Sequence, residues 1–222
     1  MTVQGQSSEA ATKFNPDGTA RPFAGNTFVS FVTDGAFAAG LDEVHTLLTE
    51  LPGARLFTPV PPETYHVTVL DGTLAEPGPD QRWPADIDPD LSIDGLTSLY
   101  AERLSRSNLQ VPECLVFDVG GISDVSDPLI QLRVELSPVG HTMTDLSDLR
   151  ARLSSLLGLP HDPSPAKYHV TLAYRVDTTD DPVGLQRLRT ALATVLPTRV
   201  TFDEVVFVDF PTMVEYRRIA EL

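Results

Sequence analysis

The sequence predicts an α+β protein with largely antiparallel sheets. Three observations carry that expectation. Short valine-rich strands alternate irregularly with amphipathic helices, which does not suit a regular βαβ wheel. A Tyr-His-Val-Thr word occurs twice, as Tyr65–Thr68 and Tyr168–Thr171, followed each time by apolar residues. Each copy is preceded by the same order of strand, then helix, so the chain reads as two related lobes. The copies are too far apart for a repeat array.

The elements follow in chain order. Residues 1–20 are polar and contain the turn signal Asn15-Pro16-Asp17-Gly18, which predicts a flexible start before one bilobal domain over 21–222. Thr27–Thr33 reads as a strand. Phe37, Leu41, Val44, Leu47, Leu48 and Leu51 recur at helical spacing and stop at Pro52-Gly53. A proline-rich approach leads into the first histidine strand, and 71–89 reads as loop. A helix is expected over about 89–106, strands near 113–119 and 129–136, and a helix near 145–157. The second histidine strand comes next, then a helix near 182–195 and strands near 200–208 and 213–219.

Composition narrows the function. The 31 acidic residues against 16 basic ones give a formal net charge of −15, and Lys13 and Lys167 are the only lysines. Long nucleic acid is bound through clustered cations that release counterions, so it is not an expected partner. A small phosphorylated ligand still fits, because a few arginines can reverse the potential inside a cleft. No apolar run reaches the roughly 20 residues that span a bilayer, so no membrane partner and a cytoplasmic location are expected. Cys114 is the single cysteine, which rules out an intrachain disulfide. Oligomeric state is left open.

The chemistry lies in the repeated word. On a strand, alternate side chains share a face, so His66 stands with Thr68 and His169 with Thr171. Tyr65 and Tyr168 fall on the other face, where packing is their expected role. Two such strands on one cleft supply two proton-transfer groups and two neutral hydrogen-bond donors, a set suited to a phosphodiester. Histidine can act as acid or base near neutral pH, since its reference pKa is about 6.5. Neither motif has a second metal ligand at close spacing, so no metal or cofactor is expected. His45, His141 and His161 read as surface residues. Gln131 and Arg133 share a strand face that could meet a phosphate, with solvent as the alternative. Arg175 has the parity of His169 and Thr171 and is a further substrate-binding candidate. Trp83 or Phe57 could stack on a base, although a hydrophobic anchor is the simpler role.

The pair His66-Val67-Thr68-Val69 and His169-Val170-Thr171-Leu172 resembles the signature of the 2H phosphoesterases, the group of LigT-type and plant cyclic phosphodiesterases. The stretch Pro61–Gly72, together with Pro16-Asp17-Gly18, Gly25-Asn26-Thr27 and Trp83-Pro84-Ala85-Asp86, is similar to a less studied bacterial branch. The resemblance extends from about Lys13 onward. It implies a bilobal, pseudo-symmetric fold with two mainly antiparallel sheets around a central cleft and helices outside. It also implies metal-independent hydrolysis of a small cyclic phosphodiester: a 2′,3′-cyclic nucleotide, an RNA end or a cyclic oligonucleotide. His66 and His169 would be acid and base in either order, and Thr68 and Thr171 would donate to the non-bridging oxygens. The alternatives are a nucleotide-binding or sensor module without turnover, and a scaffold in which the motifs are structural.

Overall fold

The computed structural model of the chain describes residues 8–51, 53–76, 83–123, 131–160, 166–177, 179, 181–192 and 196–222. Five helices and nine strands follow one another: α1 (Ser8–Lys13), β1 (Gly25–Phe31), α2 (Gly35–Glu50), β2 (Phe57–Pro59), β3 (His66–Leu74), α3 (Ile93–Ser105) and β4 (Leu115–Ile122). Then come β5 (Leu132–Pro138), α4 (Thr142–Leu157), β6 (Tyr168–Arg175), α5 (Pro182–Leu192), β7 (Arg199–Phe202), β8 (Val206–Thr212) and β9 (Glu215–Glu221). Every recorded strand pairing is antiparallel.

The helices stop and start where local chemistry dictates. Asp34 caps α2 by accepting from the Ala36 and Phe37 backbone N–H groups, and Ser92 caps α3 through the Gly95 N–H. Gly158 ends α4 in the left-handed conformation at φ 74°, which suits glycine because it has no Cβ to clash.

The strands form one path in the order β7-β4-β5-β6-β3-β1-β8-β9, with β2 pairing β6 beside it. The two expected sheets are therefore continuous, joined where Val67 of β3 lies opposite Val170 of β6. About that junction the halves mirror each other. The order β1–α2–β3 on one side answers β5–α4–β6 on the other, so the strand-helix-histidine strand order is retained in space. The last hairpin, β8–β9, returns to complete the first half. Strand reading over 200–208 merged β7 with the start of β8, which separate at residues 203–205.

Helices α2 to α5 cover one face of this sheet. Their apolar stripes, such as Phe37, Leu41, Val44 and Leu48 of α2, share one core with Val67, Val69, Val170 and Leu172. Burying a side chain of this size contributes about 1.5–3 kcal/mol. The opposite face carries the histidines. Among the described residues no helix is long and apolar enough to cross a membrane.

Within the first twenty residues, the part from Ser8 onward has local structure. From Ser8 onward it forms α1, then a bridge between Phe14 and Ala20, and Phe14 is buried against Tyr174.

Candidate functional site

His66 and His169 lie on the two central strands, and their neighbours follow from the register. One step either side of the Val67–Val170 pair, the antiparallel ladder sets His66 beside Thr171 and Thr68 beside His169. All four side chains are partly buried on the face away from the helices. The two imidazoles are held alike. His66 Nδ1 lies 2.6 Å from the Thr64 carbonyl oxygen, and His169 Nδ1 lies 3.3 Å from that of Lys167. In each motif the carbonyl two residues upstream accepts a hydrogen bond from Nδ1–H, which in the neutral ring puts the lone pair on Nε2.

The flanking strands differ in character. On β5, Glu135 lies opposite His169 and Arg133 opposite Thr171. Gln131 bridges the second motif: Thr171 Oγ1 donates to its Oε1 at 3.0 Å, and its Nε2 lies 3.5 Å from His169 Nε2. Arg133 Nε donates to Glu135 Oε1 at 2.7 Å. On β1 the matching positions are apolar, with Phe31 opposite His66 and Val29 opposite Thr68. Phe31, Val29, Val206 and Val208 form a small second core, with Tyr216 packed on it. The histidine face of the sheet thus has an apolar wall beside His66 and a polar wall beside His169.

That difference sets the electrostatics. Burial pushes His66 down to about 4, the Thr64 hydrogen bond opposes this, and the charge of His169 adds a smaller downward push. His66 is therefore neutral at pH 7. Tyr216 is pushed up by burial, with a further contribution from Tyr174, so its phenol stays protonated.

Arg175 requires a correction. Between Leu132 and Arg133 the β5–β6 register slips by one residue on β6, so Arg133 faces Thr171 while Leu132 faces Ala173. This bulge reverses the alternation. Beyond it Arg175 turns to the helix face, is 3% exposed, and donates to the carbonyls of Asp177 and Thr179 with its guanidinium over the Phe57 ring. Tyr174 takes the opposite parity and is buried against Phe14. Three successive apolar residues, Leu172-Ala173-Tyr174, were the sequence sign of broken alternation.

The remaining candidates are placed as follows. Phe57 is a core residue, and Trp83 packs on the core and donates to the Ile87 carbonyl at 3.2 Å. His45 is half-buried on α2 with Nδ1 3.3 Å from the Tyr65 hydroxyl, while His141 is exposed at the start of α4. His161 lies outside the described residues. Cys114 is exposed just before β4, where an apolar strand was expected to hold it. Among the described residues no three His, Cys, Asp or Glu side chains are grouped to hold a metal ion. Sequence reading missed Tyr216, whose ring packs 4.8 Å from that of His66, because nothing local to it points there.

Comparison with known proteins bears on the fold and the family. The structure is similar to that of a conserved protein of unknown function from Agrobacterium tumefaciens, with a TM-score of 0.76, 20% identity, and coverage of 96% of this chain and 92% of that one. A Thermus thermophilus protein gives a TM-score of 0.50 at 18% identity, covering 89% and 96% of the two chains. A slighter likeness, TM-score 0.48 at 14% identity over 91% and 98%, is to Escherichia coli LigT complexed with 3′-AMP. No curated protein matches the sequence. The family model described as 2H-phosphodiest, domain of unknown function (DUF1868), matches residues 13–126. That span is just over half of the chain and contains the whole first motif, and the chain belongs to this 2H phosphodiesterase family.

Proposed function

We propose that the cleft hydrolyses a small cyclic phosphodiester by two-histidine general acid–base catalysis without a metal ion. The observation that carries this reading is the matched pair of imidazoles on adjacent strands, each with Nδ1 on a carbonyl and Nε2 towards the cleft. Ring opening needs a base to take a proton from water and an acid to protonate the leaving oxygen. The apolar wall that keeps His66 neutral suits it to the base. His169, beside Gln131 and Glu135, then supplies the proton to the leaving alkoxide. Water oxygen attacks phosphorus, one ring P–O bond breaks, and the product is a phosphomonoester with a free hydroxyl. Thr68 and Thr171 donate to the non-bridging oxygens as charge shifts between them. Arg133 and Gln131 contribute charge and hydrogen bonds on the His169 side. The substrate is nucleotide-sized, a 2′,3′-cyclic nucleotide, RNA end or cyclic oligonucleotide, in keeping with the net charge of −15. We place the reaction in the cytoplasm.

The test is turnover of 2′,3′-cyclic, 3′,5′-cyclic and cyclic-oligonucleotide phosphodiesters with a chelator present. His66→Ala and His169→Ala run beside the wild type. Hydrolysis that survives chelation and falls by about 10²–10⁴-fold in both variants is the expected result. Nucleotide binding with no turnover would replace the enzyme by a sensor module using the same cleft. Hydrolysis that persists in both variants would remove the two-histidine mechanism.

A further inference from the structure

Beyond His66 the cleft does not end at an open edge. Three donors from three distant parts of the chain meet there. Tyr216 of β9 packs its ring 4.8 Å from that of His66, and its hydroxyl has no hydrogen-bond partner among the described residues. Tyr174, set on the parity opposite Arg175 by the β6 bulge, is buried against Phe14 and close enough for its phenol to raise that of Tyr216. Lys13 Nζ lies 3.4 Å from the Tyr174 hydroxyl, 4.8 Å from the Tyr174 ring centre and 5.4 Å from that of Phe23.

Lys13 is brought there by a strap that spans both halves of the sheet. The strap is pinned to β2 where Thr58 Oγ1 donates to the Gly18 carbonyl at 3.0 Å. It is pinned to β8 where the Phe23 N–H donates to the Pro211 carbonyl at 2.9 Å. The turn at Gly18 has φ 83°, and a Cβ there would stand 2.4 Å from Thr58 Oγ1, so the close approach requires glycine. An aromatic row, Phe23, Phe210 and Tyr216, continues from the lysine to His66 with ring separations of 6.3 and 5.4 Å.

We propose that Lys13, Tyr174 and Tyr216 form a second anion-binding subsite, so that the substrate carries a phosphate or diphosphate besides the scissile phosphodiester. This inference rests on the phosphodiesterase reading for what occupies the histidine end of the cleft. The chemistry is that of anion recognition: a lysine amino group and two tyrosine hydroxyls, side chains that donate hydrogen bonds to anions. Its placement matters in a chain with a net charge of −15, where a polyanionic ligand is repelled unless fixed cations face it locally. The cation–π contacts hold the ammonium in position before a ligand arrives.

The experiment measures binding by calorimetry of adenosine 2′-monophosphate and of the same nucleotide carrying a 5′-phosphate or 5′-diphosphate, at fixed salt. The proteins are the wild type, Lys13→Met, Lys13→Arg and Tyr216→Phe. The wild type should bind at least one tailed nucleotide about tenfold more tightly than the untailed one. Lys13→Met should lose that preference while binding the untailed nucleotide as before, and Lys13→Arg should keep it. Tyr216→Phe should retain only part of it. Equal affinity across the three nucleotides, a preference that survives Lys13→Met, or binding of none would overturn the subsite. Its failure is separable from that of the catalytic reading. Turnover of cyclic substrates without any tail preference removes only the subsite, whereas a Lys13-dependent preference without turnover leaves the subsite standing alone.

Discussion

The ring of Tyr216 lies 4.8 Å from the ring of His66, tilted by 58°, although the two residues sit on strands separated by β1 and β8. Phe31 closes another side at 6.1 Å, and the two aromatic rings keep water from much of the imidazole. Among the described residues, the charged or titratable groups acting on this cluster include His169 and Tyr174 from β6 and Arg218, which stands over Phe31 and pairs with Glu204.

Tyr216→Ala should therefore raise the pKa of His66 from about 4 towards the ordinary 6.5. If His66 is the base, the acid limb of kcat/KM moves to higher pH and activity at pH 5 drops about tenfold or more. Tyr216→Phe keeps the ring and should leave the limb in place. Stability has the same sign. A histidine held below its unfolded pKa binds fewer protons when folded, so stability falls as pH drops from about 6.5 to about 4. A pH series of urea midpoints should show that slope in the wild type and a shallower one in Tyr216→Ala. An acid limb unmoved by removal of the ring would sink this account.

How much of this was legible in the sequence depended on how locally each feature is encoded. His66 with Thr68, and His169 with Thr171, follow from alternation within four residues, and the structure keeps that alternation at both motifs. Gln131 and Arg133 came onto the same face as His169 and Thr171 by the same logic. Arg175 did not, because a single extra residue on β6 reverses parity and no count of alternate positions can see it. The polar wall was readable from β5, but the apolar wall was not. Phe31 reads as an ordinary strand residue, and Tyr216 meets His66 only once the last hairpin has folded back beside β1. The fold class came from element order. The continuity of the sheet rests on one strand pairing and has no sequence signature.

Arg133 and Glu135 offer a test of the polar wall. Their ion pair is partly exposed, so it contributes only about 0–1 kcal/mol to stability. Its expected importance is to hold the guanidinium until an anion competes for it. Glu135→Gln should tighten binding of inorganic phosphate several-fold, and Arg133→Met should weaken it about tenfold, with unfolding midpoints little changed in either. Unaltered phosphate affinity in both variants would place Arg133 outside the substrate's reach.

Arg175 should behave in the opposite way. Its buried guanidinium satisfies the carbonyls of Asp177 and Thr179, so Arg175→Met leaves acceptors without their donor. A loss of about 1–3 kcal/mol in chemical denaturation is expected, with phosphate affinity and the pH profile of the folded fraction unchanged. A fully stable Arg175→Met protein with weakened phosphate binding would reverse the two arginines' assignments.

The return of β8 and β9 to the first half has a consequence for the chain's birth. At usual elongation rates Tyr216 is made roughly 10 s or more after His66. During that interval the first motif has emerged from the ribosome without the wall that shields its imidazole. The second motif, made earlier and flanked by β5, does not depend on that hairpin, so it is His66 that waits. A nascent chain therefore carries the first imidazole before it carries that imidazole's apolar surroundings, which close only when synthesis has passed β9.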